Sequence, residues 1–169
     1  MTRILGAVLA GGRSSRFGSD KAAADWRGRS LADHAAEAIR GHVDAVIRVG
    51  GPDGFADLPR AGLGPLGGIA AALDHAAGHG YTSVLTIACD IPRLPHPLAH
   101  AMLRRAPAYC IEAPVIGHWP AALGAHLMAH AGLADDRSVL RWARMIGALP
   151  ITAGEPIANV NTPEDLLAL

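Results

Sequence analysis

The segment Ala10-Gly11-Gly12-Arg13-Ser14-Ser15-Arg16-Phe17-Gly18-Ser19-Asp20-Lys21 holds the parts of an anion site. Gly11 and Gly12 carry no Cβ, so the backbone there can take unusual dihedrals and approach a ligand closely. Consecutive backbone N–H groups can then converge on an anion as a nest. Arg13, Arg16 and Lys21 add cations, and Ser14, Ser15 and Ser19 add short hydroxyl donors. The spelling is neither a Walker loop nor the G-x-G-x-x-G dinucleotide fingerprint. A solvated turn between a strand and a helix would use the same glycines, so the reading needs further pieces.

Two oxygen ligands supply them. A nucleoside triphosphate is handled with cations, backbone donors and usually Mg²⁺, which takes one or two hard protein oxygens together with phosphate oxygens and water. Asp90 closes the apolar run 83–89 and precedes Ile91-Pro92, which puts its carboxylate at a strand's C-terminal end. Asn161 stands just before Thr162, and its side-chain oxygen is placed to reach the same metal. The plainer roles are a loop or helix cap for Asp90 and a turn-stabilising side chain for Asn161.

The elements that must carry these residues read as follows. The aliphatic run 4–10 is a fully buried strand. Ser30 caps a helix through Ile39, and 45–49 is a second strand closed by Gly50-Gly51-Pro52. Residues 53–62 form a loop. Gly64-Pro65-Leu66-Gly67-Gly68 opens a helix, with Pro65 in the first turn, where a missing N–H costs nothing. A third strand spans 83–89, and a helix follows over about 97–105. The stretch 109–119 yields one strand at 114–118. Pro120 starts a helix, Asp136 caps another through Val139 and Ile146, and 148–152 is a last strand. Thr162, Pro163 and Asp165 open a terminal helix as N-cap, N1 and N3. Strands and helices alternate. The expected fold is α/β, a three-layer arrangement with a mostly parallel central sheet and helices on both faces, in one domain over 1–169. Ligands in such sheets sit at the carboxyl ends of the strands, where the Gly11 loop and Asp90 both fall.

Composition removes other classes. Fifteen basic and fifteen acidic residues balance to a formal net charge of zero. That speaks against non-specific nucleic-acid or membrane-surface binding. Cys89 and Cys110 form no C-x-x-C. No signal-peptide pattern or membrane-spanning run is visible, and a cytoplasmic protein is expected. His75/His79, His96/His100 and His126/His130 have the spacing of zinc pairs on a helix, but none is H-E-x-x-H, and solvated helix histidines are the expectation.

Four motifs together resemble one family. Leu9-Ala10-Gly11-Gly12-x-Ser14-x-Arg16-Phe17-Gly18-x-Asp20-Lys21, Gly64-Pro65-Leu66-Gly67-Gly68-Ile69, Cys89-Asp90-Ile91-Pro92 and Asn159-Val160-Asn161-Thr162-Pro163-Glu164-Asp165-Leu166 are similar to those of molybdenum cofactor guanylyltransferases (MobA-like), in the same order and across nearly the whole chain. The resemblance implies a Rossmann-like nucleotidyltransferase fold. It implies transfer of GMP from GTP to the terminal phosphate of molybdopterin, with release of pyrophosphate. Leu9, Ala10, Gly11 and Gly12 would hold the nucleotide, Lys21 its phosphates, and Asp57 would contact it further. Asp90 and Asn161 would ligate Mg²⁺, with Lys21, Arg16 and Asp90 as the catalytic set. The substrates would be GTP and the molybdopterin cofactor, with transient delivery to molybdoenzymes or their chaperones. The spelling Ala10-Gly11-Gly12 with the Gly64-Pro65-Leu66 motif favours GTP over CTP. Phe17 stands where the family has Met, Ala113 where it has His, and 107–113 is short, on the side expected to face the acceptor. These departures keep open a related transferase using CTP or another phosphorylated acceptor, and a nucleotide-binding protein with impaired catalysis.

Overall fold

In the computed structural model, residues 2–11, 21–133 and 137–169 are described. Strand β1 is Ile4–Leu9, buried along almost its whole length. Its side chains alternate between two cores: Leu5, Ala7 and Leu9 enter one and Val8 the other. Two layers of helices therefore cover the sheet, which is the usual setting for a strand made of consecutive apolar residues. Gly6 is the exception on the strand. A Cβ there would lie 2.9 Å from both Ile39 and Val43, so its absence lets the chain that follows the strand close down on the sheet.

After the 3-10 turn Lys21–Ala23, the short strands β2 (Asp25–Trp26) and β3 (Arg29–Ser30) pair as a hairpin. Helix α1 is Leu31–Arg40, and its Ser30 side chain accepts the Asp33 N–H as the sequence suggests. Strand β4 is Ala45–Val49, helix α2 Pro65–Gly78, and strand β5 Ser83–Ala88. Helix α3 is His96–Leu103, a residue or two short of the expected span at its far end. The main sheet has six strands in the order β4-β1-β5-β7-β6-β8, where β6 is Ala108–Cys110, β7 Gly117–Pro120 and β8 Leu149–Ile151. Parallel pairing joins β4, β1 and β5, and again β6 and β8. Only β7 runs against its neighbours. The sheet is mostly parallel, as expected.

The region 109–120 differs from its reading. Two strands occupy it, and the expected 114–118 strand shifts to Gly117–Pro120. The cause is the connection between them. Ile116 N–H donates to Ala113 and Cys110 N–H to Ile116, so 111–116 folds into a tight loop instead of a ladder. Pro114 inside it has no N–H for strand pairing. Pro120 ends β7 opposite Ser83 and, as expected, opens the helical segment that follows. A 3-10 turn, Ala121–Leu123, precedes α4 (Gly124–Leu133). The expected cap Asp136 lies outside the described residues. Helix α5 (Val139–Met145) is capped by Ser138, whose side chain accepts the Arg141 N–H. The terminal helix is a 3-10 helix, Pro163–Ala168, with the expected box of Thr162 and Asp165. Among the described residues no helix is long and apolar enough to cross a membrane.

Candidate active site

The site forms where three parallel strands end together. Ala10 N–H donates to Val49 O at 2.7 Å and Cys89 N–H to Leu9 O at 3.0 Å, extending both ladders of β1 by one step. Gly11, Gly50 and Asp90 are thereby delivered to one edge of the sheet. Gly50 has φ +78°, and a Cβ there would lie 2.5 Å from Gly11 N, so only glycine lets the two turns meet. The sequence marked Gly50 only as the end of a strand. Its partnership with Gly11 needs the β1–β4 register.

A pocket of about 380 Å³ opens beside these glycines, lined by Leu9, Gly11, Val49, Asp57, Gly64 and Gly68, among others. Gly64, at φ +64°, turns the chain into α2. Gly67 on the first turn of α2 makes room for Asp57, because a Cβ at Gly67 would lie 3.0 Å from that of Asp57. Leu58 N–H donates to Gly67 O at 3.1 Å and fixes the Asp57 segment across the helix start. Among the described residues nothing donates to the Asp57 carboxylate. Burial without a partner pushes its pKa up. A half-buried carboxyl that faces a pocket and lacks a donor is prepared for a ligand that carries N–H groups.

Next to this pocket is a charged cluster. The Lys21 ammonium donates to Asp90 Oδ2 at 3.0 Å and to Asn161 Oδ1 at 3.1 Å. Lys21 comes from the turn after the anion loop, Asp90 from the end of β5, and Asn161 from the C-terminal segment. Asn161 is held from below, since the Asp165 carboxylate accepts its N–H at 2.7 Å and that of Thr162 at 2.8 Å. Those bonds, first from Asn161 and then from Thr162, hold the Asp165 carboxyl below its ordinary range. Val160 N–H donates to Asp90 O at 2.9 Å and locks the C-terminal segment to the β5 loop. The cluster thus places a cation between two hard oxygens.

The structure therefore brings the expected residues into two neighbouring groups. Leu9, Gly11 and Asp57 line the pocket, and Lys21, Asp90 and Asn161 meet beside it. Ala10 sits on the β1 ladder between them. Gly12 and Arg16 lie outside the described residues. The histidine pairs fall elsewhere: His75 and His79 stack at 3.9 Å, while His96 meets His42 edge-on.

The arrangement has counterparts among known proteins. The family model described as "MobA-like NTP transferase domain" matches residues 6–147. The chain belongs to the MobA-like NTP transferase family. Among its relatives, the molybdenum cofactor guanylyltransferase of Rhodobacter capsulatus is 38% identical over 97% of this chain and 93% of its own length. That of Rhizobium leguminosarum bv. trifolii is 34% identical over 98% of this chain and 90% of its own. Among solved structures, molybdopterin-guanine dinucleotide biosynthesis protein A from Archaeoglobus fulgidus is similar with a TM-score of 0.74, at 22% identity, over 97% of this chain and 95% of that one. The 2-C-methyl-D-erythritol 4-phosphate cytidylyltransferase of Thermus thermophilus is similar with a TM-score of 0.65 at 15% identity, over 96% of this chain and 95% of that one. At such identities these structures establish the MobA-like chain's nucleotidyltransferase fold.

Proposed function

We propose that this MobA-like chain transfers GMP from GTP to the terminal phosphate of molybdopterin. An oxygen of the acceptor phosphate attacks the α-phosphorus, a new P–O bond forms, and the α–β bridging bond breaks with its electron pair leaving on pyrophosphate. A phosphate monoester is already a nucleophile at neutral pH, so the protein needs to align and neutralise more than to deprotonate. The observation that carries the reading is the Lys21 ammonium seated between Asp90 and Asn161, at the strand ends beside the glycine-lined pocket. The names of the relatives support the guanine nucleotide and the molybdopterin acceptor.

The pocket would take the nucleoside. Guanine offers a ring N1–H and an adjacent amino group on one edge, and a carboxylate can accept both in a bidentate pair. Asp57 is the group available, and pairing with those donors would relieve the burial that raises its pKa. Cytosine presents no such pair of donors. Gly11 and Gly50 leave backbone close to the sugar and phosphates, and Lys21 binds the triphosphate oxygens.

Asp90 Oδ2 and Asn161 Oδ1 fit a divalent cation, because both are hard oxygens and both already coordinate a positive group. Mg²⁺ held there would supply neutralisation of the phosphate charge and of the departing pyrophosphate. Pyrophosphate release tests the reading. The wild-type chain should release it with GTP plus molybdate-loaded molybdopterin and far less with CTP, and Lys21→Ala should release none above background. Equal release with either nucleotide would remove the role of Asp57. Near-normal release by Lys21→Ala would sink the assignment.

A further inference from the structure

The three segments that meet at Lys21, Asp90 and Asn161 meet a second time, outside the pocket. Trp26 follows Lys21 on β2, Arg93 follows Asp90 on the loop after β5, and Leu169 follows Asn161 at the end of the 3-10 segment. The Arg93 guanidinium carbon lies 5.3 Å from the centre of the Trp26 ring. Its Nη2 donates to the Leu169 carbonyl oxygen at 3.0 Å. One side chain from the Asp90 loop therefore touches both of the other segments.

Trp26 is a fixed partner for it. The indole lies against the His34 ring at 4.5 Å, and His34 Nε2–H donates to the Trp26 carbonyl oxygen at 2.7 Å, which anchors the hairpin on α1. Arg27 adds a second guanidinium at 4.8 Å from the ring. Arginine suits this post because its planar cation can lie over an aromatic face while its N–H groups donate sideways, which a lysine ammonium does less well. Arg93 itself is exposed, and its contacts with Trp26 and Leu169 both cross between segments.

We propose that Arg93 is a positioning residue. It braces the Asp90 loop against the Trp26 hairpin and the C-terminal segment, so that Lys21, Asp90 and Asn161 arrive within hydrogen-bond reach of one another. The kinetic consequence rests on the transfer reaction proposed above. Small displacements of an aligned phosphate and its cations are costly, with roughly a 100-fold loss for about 1 Å. Binding of the guanine end depends on the Asp57 pocket, away from the brace, and should change little.

The tryptophans allow a test that does not depend on activity. Trp119 and Trp142 are both fully buried, so a small quencher such as acrylamide reads chiefly Trp26. Arg93→Ala should raise acrylamide quenching and lower kcat for pyrophosphate release about 10- to 100-fold. KM for GTP should stay within about threefold, with the thermal midpoint close to wild type, because the Val160 to Asp90 bond remains. Arg93→Lys should recover part of both signals. Arg29→Ala, which removes a cation of the same hairpin that pairs with Glu37 instead, should match wild type in both. Wild-type quenching and kcat in Arg93→Ala would overturn the proposal, as would a loss of kcat that tracks a fall in thermal midpoint. If the wild-type chain releases no pyrophosphate from GTP, the transfer reading fails. The quenching of Arg93→Ala then still decides whether the brace exists.

Discussion

The two halves of the sheet are built on different principles. On the β4-β1-β5 side, strands of five and six residues run parallel, with β1 and β5 buried and the edge strand β4 half-buried, and end together at the pocket. On the β7-β6-β8 side, strands of three and four residues are held by particular side chains. The Trp119 indole N–H donates to Thr86 Oγ1 at 3.0 Å, and Thr86 donates to Val115 O at 2.7 Å. His118 Nδ1 lies 3.0 Å from Arg105 O, which puts the ring proton there, and Nε2 accepts from the Ser83 hydroxyl at 2.8 Å. Gly117 is needed because a Cβ would sit 2.0 Å from the Trp119 ring. One half gains its stability from continuous apolar strands and uses the spare polar groups at its edge for a site. The other spends its polar groups on fastening its short strands to β5.

Substitutions should separate the two halves. The largest effect is expected at Asp90. Asp90→Ala should lower kcat by about 1000-fold, the scale of losing one preorganised electrostatic group, while the thermal midpoint stays near wild type. On the other half the order reverses. Trp119→Ala removes a fully buried indole and should cost about 3–5 kcal/mol of stability by urea unfolding. At the temperature where the folded fraction matches wild type, KM for GTP should be unchanged. A large change in KM would show that the halves are not independent.

Asp57→Asn should sharpen the comparison by moving stability and binding in opposite directions. Its carboxyl pKa is raised in the folded state by burial, so the folded chain carries an ionisation cost at any pH above that raised value. An amide removes the cost, and the thermal midpoint at pH 7 should rise by roughly 2–4 °C for each kcal/mol recovered. Discrimination of GTP over CTP should fall at least about tenfold, because the amide cannot accept both guanine donors. A lower midpoint with unchanged discrimination would show that Asp57 is structural.

The smallest effect concerns acid. Asp165 titrates below its ordinary value of 3.8 in the folded chain because it accepts the Asn161 and Thr162 N–H groups. Its contribution is present above the unfolded value and is lost as pH falls through the lower folded value. Urea midpoints measured downward from pH 5 should therefore fall more steeply for wild type than for Asp165→Asn. Parallel curves would mean the capping bonds contribute nothing to the folded state.

Much of the first half was legible because its signals are local. Ser30 caps α1 and Pro65 opens α2, and Asp90 arrives at a strand end. Thr162 and Asp165 form their box in the terminal helix. Asp90 and Asn161, both marked by their motifs, meet at the Lys21 ammonium. What was not legible depends on contacts between distant segments. Gly50 matters only because β4 pairs beside β1 and brings it onto Gly11. The 109–120 region was misread because its strands are short and its register is set by Trp119 and His118 reaching across to Thr86 and Ser83, bonds that leave no periodic trace in the sequence. Arg93 carries no motif at all, and its partners become neighbours only when the C-terminal segment returns to the β5 loop.

The mass of the product tests the transfer most directly. Incubation of the chain with Mg²⁺, GTP and molybdate-loaded molybdopterin should yield a dinucleotide one GMP unit heavier than the acceptor, with one pyrophosphate released per product, and Asp90→Ala should form it about 1000-fold more slowly. An acceptor of unchanged mass, or the adduct formed by Asp90→Ala at the wild-type rate, would contradict the assignment of this site to guanylyl transfer.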